Sequence, residues 1–235
     1  IQSILESEKI KYTHSGVKSS SIAIDKELSK KLFTKNNILT PKYVKFEFKK
    51  NIIKKNIIKL IKKKLDFPVV VKPINEGSSV NVYICNKSNL INNLYKLQNY
   101  GEVLIEKFIP GREIQVAIFG SQKLGAIELK PKRKFYDYEA KYNPNAKTKH
   151  IIPVKISKKN YNKVTDLALK AHNILQCRGV TRSDFRFYKD RFYLLETNTQ
   201  PGMTSLSLVP EIANYNNISF IQLIEKIIKD ASINK

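Results

Sequence analysis

Apolar residues recur along this chain at two spacings. One is the three-to-four-residue repeat of an amphipathic helix, the other the strict alternation of a half-buried strand. Helical spacing predicts helices near 1–10 and over 21–36, where Ile24, Leu28 and Leu32 lie one turn apart. Further helices are predicted over 51–65 (stripe Ile53, Ile57, Leu60, Ile61), 88–98, 159–175 and 218–231, with a short one starting near 206–208. Alternation or short apolar runs predict strands at 11–13, 43–48, 68–72, 80–84 and 103–108, a hairpin of 113–119 with 123–129 around Gly120-Ser121, and a second hairpin over 182–198. Residues 130–149 are polar, aromatic and irregular; a loop of that length is usually a functional lid or disordered.

Helices interleaved with antiparallel hairpins indicate an α+β class, or two α/β sandwiches, rather than an all-parallel doubly wound sheet. At 235 residues the chain forms one large domain or two small ones. No apolar run approaches the ~20 residues that span a bilayer. The basic stripe over 51–65 suits a membrane-surface helix or, more simply, a helix laid on a sheet. Cys85 and Cys177 form no metal or CxxC pattern, which fits free thiols in a reducing cytoplasm. The start, IQSILESEK, lies inside an amphipathic pattern with no signal-peptide features, so a preceding segment is expected.

The net charge of +23 would ordinarily point to nucleic acid or anionic membrane. The excess is Lys, dispersed beside many Asn and Ile, whereas nucleic acid needs basic clusters interleaved with stacking aromatics. Four of the six Arg fall between Arg178 and Arg191. There the planar, permanently charged fork of guanidinium has a use that Lys cannot supply.

That region, 182–207, carries the strongest candidate chemistry. Arg182, Asp184 and Arg186 alternate with Ser183, Phe185 and Phe187. A second strand follows, with Phe192, Leu194, Glu196 and Asn198 sharing a face. A three-residue turn at 189–191 places Asp184 opposite Glu196, whereas a two-residue turn would put them on opposite faces. Two carboxylates and an amide oxygen, without His or thiolate, suit Mg²⁺ holding phosphate oxygens. A solvated hairpin has the same pattern. The turn Thr199-Gln200-Pro201-Gly202-Met203-Thr204-Ser205 then enters a helix, whose free N–H groups favour anions. Upstream, Lys72 ends a buried strand, and Gly77-Ser78-Ser79 offers backbone N–H groups and hydroxyls for a phosphate, or a plain turn. Neither GxGxxG nor GxxxxGK[ST] is present.

The segments EGSSV (76–80), VLIEKF (103–108), FYDYEAKY (135–142), RSDFR (182–186) and LLETNTQPGMTSLSLVP (194–210) closely resemble the D-alanine–D-alanine ligase family of ATP-grasp enzymes. The resemblance runs over essentially the whole chain. It implies an ATP-grasp fold, two α/β subdomains sandwiching ATP between mixed or antiparallel sheets, with residues 15–112 central, 113–235 C-terminal and 1–14 a remnant of an N-terminal domain. It implies ATP and Mg²⁺ (two ions, with Mn²⁺ as a substitute) as cofactors, and D-alanine as the substrate joined through an acyl phosphate for peptidoglycan precursors. It implies a cytoplasmic enzyme engaging neither nucleic acid nor membrane, with room for a homodimer. Lys26, Lys72 and Lys141 would bind phosphates under a loop holding Ser78 and Ser79. Glu106, Lys107 and Ile109 would line the adenine pocket and Glu113 the ribose. Asp184, Glu196 and Asn198 would hold metal; Arg182 and the Gly202 N–H would stabilise an oxyanion. Tyr142 would position substrate from a lid, in the manner of dipeptide-forming members, and Ser207 with Leu208 would contact the second D-alanine.

Three departures accompany the resemblance. The family's N-terminal Glu, which holds the first D-alanine ammonium, has no counterpart in 1–235, so these residues alone are expected to bind ATP–Mg²⁺ and ligate poorly. Asn81 stands where the family usually has Gly, and Gln200 replaces the usual Ser. Alternatives are another ATP-grasp carboxylate–amine ligase, such as one making D-alanine–D-lactate, and, in a different class, a basic nucleic-acid-binding protein.

Overall fold

The computed structural model describes residues 1–48, 55–130, 148–204 and 207–233. Two antiparallel sheets organise it. The smaller contains β1 (Tyr43–Glu47), β2 (Val69–Pro73), β3 (Tyr83–Cys85) and β4 (Glu102–Lys107), in the order β1-β4-β2-β3. The larger contains β5 (Arg112–Phe119), β6 (Gln122–Lys130), β7 (Lys149–Ile151), β8 (Val180–Tyr188) and β9 (Arg191–Asn198), in the order β7-β6-β5-β8-β9. The α+β expectation is met, and the ladders are antiparallel rather than mixed.

Alternation gives each strand two jobs. In the smaller sheet Val69, Val71, Val103 and Ile105 pack under helices α4 (Lys55–Lys64) and α5 (Leu90–Lys96), against Ile57, Ile61, Leu90 and Leu94. A helix packed on a sheet is therefore the role of the basic stripe at Ile57 and Ile61; Leu60 is exposed, and Ile53 lies outside the described residues. The intervening residues Val70, Lys72, Leu104 and Glu106 belong to the opposite face. In the larger sheet Ile114, Val116, Ile118, Phe185 and Leu194 pack against α6 (Lys158–Ile174) and against Ala23 and Phe33. On the other face Ala117, Ile127 and Val180 meet α7 (Leu208–Tyr215) and α8 (Phe220–Lys229). Gly125 at φ 134° lets β6 approach α7; a Cβ there would meet the Asn216 side-chain nitrogen at 2.8 Å.

Several expected elements are revised. The helix expected over 21–36 is two helices, α2 (Val17–Ile24) and α3 (Lys26–Lys35). Asp25 divides them: its backbone is extended, and its side chain accepts from the N–H groups of Glu27 and Leu28, both at 2.9 Å. The buried face of α3 is Lys26, Ser29, Lys30 and Phe33, while Leu28 of the expected stripe is exposed. The strand expected over 80–84 shrinks to β3, because Ser78, Ser79 and Asn81 all have positive φ. Before it, α1 (Gln2–Ser7) precedes a single bridge, Tyr12 to Ser232, where a short strand was expected.

Candidate active site

A cleft between the sheets is lined by Lys26 of α3, Val70 and Lys72 of β2, Ser79 and Val80 of the 77–82 loop, Glu106 and Lys107 of β4, and Ile109. Glu113, Asp184, Arg186, Leu195 and Glu196 of the larger sheet form the facing side. Nine of the residues singled out in the sequence thus meet in one place. Ser78, Arg182, Asn198, Gly202, Ser207 and Leu208 are not among the cleft's lining. Lys141 and Tyr142, with the rest of 135–142, lie outside the described residues.

On the first wall the register pairs Val70 with Glu106 and Lys72 with Leu104. Lys72 and Glu106 are therefore diagonal neighbours on one face. Lys72 Nζ donates to Glu106 Oε1 at 2.7 Å, and Lys30 Nζ stands 3.0 Å from Glu106 Oε2. Burial by itself would raise the Glu106 carboxyl, but the ammonium groups of Lys30 and Lys72 override it and hold it at about 2. Burial lowers Lys30 to about 8 despite the pull of Glu106. Lys26 is also lowered, by burial first and Lys72 second, against the attraction of Glu196, whose Oε2 lies 3.9 Å away. Its ammonium donates to the Glu76 carbonyl and, at 3.4 Å, to that of Ile74, tying α3 to the start of the loop. Lys107 turns its ammonium to the carbonyls of Asp66 and Phe67, both at 3.3 Å.

The second wall depends on an irregularity. Only Lys189 and Asp190, both at positive φ, connect β8 to β9, so the turn has two residues rather than the expected three. Phe185 pairs with Leu194, yet Asp184 pairs with Glu196 and Arg182 with Asn198. Leu195 is the extra residue of a β-bulge. The bulge restores the facing carboxylates that a regular two-residue hairpin would lose. It also corrects the expected face: Phe192 and Leu194 belong to the core, whereas Glu196 lies on the cleft side.

Cations already attend these carboxylates. Arg182 grips Asp184 through Nε at 2.8 Å and Nη2 at 3.1 Å. Arg186 Nη2 lies 3.1 Å from Glu113 Oε2. Gln115, directly across from Asp184 on β5, is buried with neither amide atom hydrogen-bonded among the described residues. Among the described residues no three His, Cys, Asp or Glu side chains converge on one point. The oxygen donors that could hold a metal are the Asp184 and Glu196 carboxylates, with the Asn198 amide beyond the cleft's lining on the same strand as Glu196. Oxygen donors of this number fit Mg²⁺, which keeps water and substrate oxygens as its other ligands.

Asn81, Asn198, Ser207 and Leu208 lie beyond the cleft's lining. Asn81 adopts φ 55°, a left-handed conformation that Gly takes freely and Asn tolerates. Its side chain is fixed by Tyr100 at 2.8 Å and Tyr83 at 3.2 Å. Asn198 Oδ1 accepts from the Gln200 N–H at 2.9 Å, setting the turn after β9. Ser207 Oγ accepts from the Thr204 N–H at 3.1 Å and packs against Gly202, where a Cβ would sit 3.0 Å from it. Leu208 puts its side chain into the core, so its backbone N–H is what the α7 start offers a ligand.

The family model for the C-terminus of D-ala D-ala ligase matches residues 32–229. The chain belongs to the D-alanine–D-alanine ligase family. It is 69% identical over its whole length to the D-alanine–D-alanine ligase of Pelagibacter ubique, covering 77% of that protein. It is 43% identical to that of Wolbachia pipientis wMel, over 98% of this chain and 72% of the relative. A solved D-alanine–D-alanine ligase from Bacillus anthracis superposes with a TM-score of 0.85 at 35% identity, over 97% of this chain and 74% of that one. Another from the same organism, complexed with ATP, gives a TM-score of 0.81 at 30% identity, over 97% and 72%. The fold is accordingly the ATP-grasp fold, as the ligase segments implied.

Sequence reasoning missed Lys30, Arg186, Leu195 and Gln115. Lys30 had one legible signal, its place four residues after Lys26 on the face shared with Phe33. In a chain so rich in Lys that spacing stands out poorly. Leu195 had none, because a bulge is a property of the paired strands.

Proposed function

We propose that this chain is the ATP-binding and catalytic part of a D-alanine–D-alanine ligase, joining two D-alanines for peptidoglycan precursors. The observation that carries the proposal is the facing pair Asp184 and Glu196 in one cleft with Lys26 and Lys72, the Lys26 ammonium 3.9 Å from Glu196. Ammonium groups and a facing carboxylate pair lining one cleft suit a nucleoside triphosphate entering with its metal.

The parts then take definite roles. Lys26 and Lys72 neutralise phosphate oxygens, with the Ser78 and Ser79 hydroxyls and N–H groups over them. Val70, Ile109 and Leu195 supply apolar walls for the base, with the Glu106 carboxylate as acceptor for its amino group and the Lys107 segment beside it. Glu113, steadied by Arg186, meets the ribose. Asp184, Glu196 and Asn198 hold Mg²⁺, two ions in our reading with Mn²⁺ as a substitute; the metal supplies charge neutralisation of the transferring phosphoryl group. The first D-alanine carboxylate attacks the γ-phosphorus and ADP leaves. The amine of the second then attacks the acyl carbon, phosphate departs and the amine loses a proton. Arg182 and the Gly202 N–H stabilise the oxyanion of that second step. Ser207 and the Leu208 N–H orient the second D-alanine, while Lys141 and Tyr142 act from the 131–147 segment.

By chain order we assign 15–112 and 113–235 as the two subdomains. α2 and α3 of the first pack on the sheet of the second. Among the described residues no helix is long and apolar enough to cross a membrane. We place the enzyme in the cytoplasm, with room for a homodimer. The test is ADP release by the protein at its full natural length, with ATP, Mg²⁺ and D-alanine. D-alanine-dependent turnover yielding the dipeptide is expected. Turnover only with D-lactate as second substrate points to the depsipeptide-forming alternative, and none with either overturns the reading.

A further inference from the structure

Lys30 is wholly buried on α3, and no direct ligand contact is open to it. Its ammonium faces Glu106 Oε2 at 3.0 Å and the Tyr43 ring at 5.9 Å. Glu106 has a second cation, Lys72 at 2.7 Å, and Lys72 lines the cleft. One buried carboxylate thus has two ammonium partners, one facing ligand and one sealed behind. A buried Lys is costly unless its charge is used. The three groups together carry one excess positive charge.

We infer that Lys30 is a positioning residue: it is the counterion that stays with Glu106 when Lys72 turns to an anion in the cleft. Without Lys30, moving Lys72 to a phosphate would strand a buried carboxylate, and Glu106 would compete with the ligand for Lys72. With Lys30, Glu106 remains ionised and fixed as an acceptor, and the excess charge is satisfied by the incoming anion. The inference rests on the nucleotide reading of the cleft.

Calorimetric titration of the 235-residue chain with ATP–Mg²⁺ and, separately, with inorganic tripolyphosphate tests it. Lys30→Met is expected to weaken both by roughly tenfold or more. The double variant Lys30→Met, Glu106→Gln removes the competing carboxylate and is expected to regain most of that loss, since a Gln oxygen still accepts from an amino group. Melting curves verify that each variant is folded. Unchanged affinity in Lys30→Met overturns the inference. So does a loss that the double variant fails to recover, which is the pattern of a purely structural lysine. If the parent binds tripolyphosphate but not ATP, the nucleotide reading fails while the Lys30 comparison proceeds with tripolyphosphate. If it binds neither, both fail.

Discussion

Asp184 stands directly opposite Glu196 although only Lys189 and Asp190 turn the chain between their strands. Leu195 makes this so by dropping out of the pairing. Deleting Leu195 leaves Phe185 opposite Leu194 and brings Glu196 into regular register with Asp184. The deletion variant is therefore expected to fold and keep Mg²⁺-dependent nucleotide binding, with affinity lowered by the lost apolar wall. Calorimetry with and without Mg²⁺ checks this; loss of the metal dependence would mean the bulge does more than set register.

Asn81 occupies the left-handed region at φ 55°. Asn81→Gly is expected to change stability by less than about 1 kcal/mol, trading the tyrosine contacts for conformational ease. Asn81→Ala keeps the backbone penalty and loses the contacts, costing roughly 1–2 kcal/mol. Denaturant midpoints of the two variants measure the difference, and equal midpoints would contradict the account.

Gln115 carries a buried amide without a hydrogen-bond partner among the described residues, across from Asp184. Replacing it by Met conserves volume and removes an unsatisfied group worth about 1–3 kcal/mol. Gln115→Met is expected to melt higher than the parent when both are free of ligand. A lower melting temperature would show that the amide is satisfied in solution.

His172 is buried in α6, its Nδ1 2.8 Å from Thr181 Oγ1. Burial pushes it down from 6.5 to about 4. Between those values the unfolded chain binds the proton and the folded chain does not, so stability rises with pH there. The contribution is intact above pH 6.5 and is lost as pH falls toward 4, by about 3 kcal/mol in all. In His172→Gln that part of the acid slope should vanish. An unchanged slope between pH 6.5 and 4 would assign the loss to other groups.

Much of this was legible along the chain. β4, β5 and β6 follow from alternation, and the carboxylate pair was identified from its strand positions. What escaped depends on tertiary context. The division of 21–36 turns on Asp25 capping α3, a choice that the continuous apolar spacing of Ile24, Leu28 and Leu32 conceals. The turn length and face assignment in β9 failed together, because spacing counts residues and cannot see one that leaves the ladder. Lys30 is buried beside Glu106, 76 residues further along the chain.

In the proposed reading Asp184 and Glu196 hold metal against phosphates bound by Lys26 and Lys72. The most direct measurement is calorimetric titration of ATP into the chain and into Glu196→Gln, each with and without Mg²⁺. For the parent, Mg²⁺ is predicted to strengthen ATP binding by roughly tenfold or more, and for Glu196→Gln most of that gain disappears. Equal strengthening by Mg²⁺ in both proteins would contradict it.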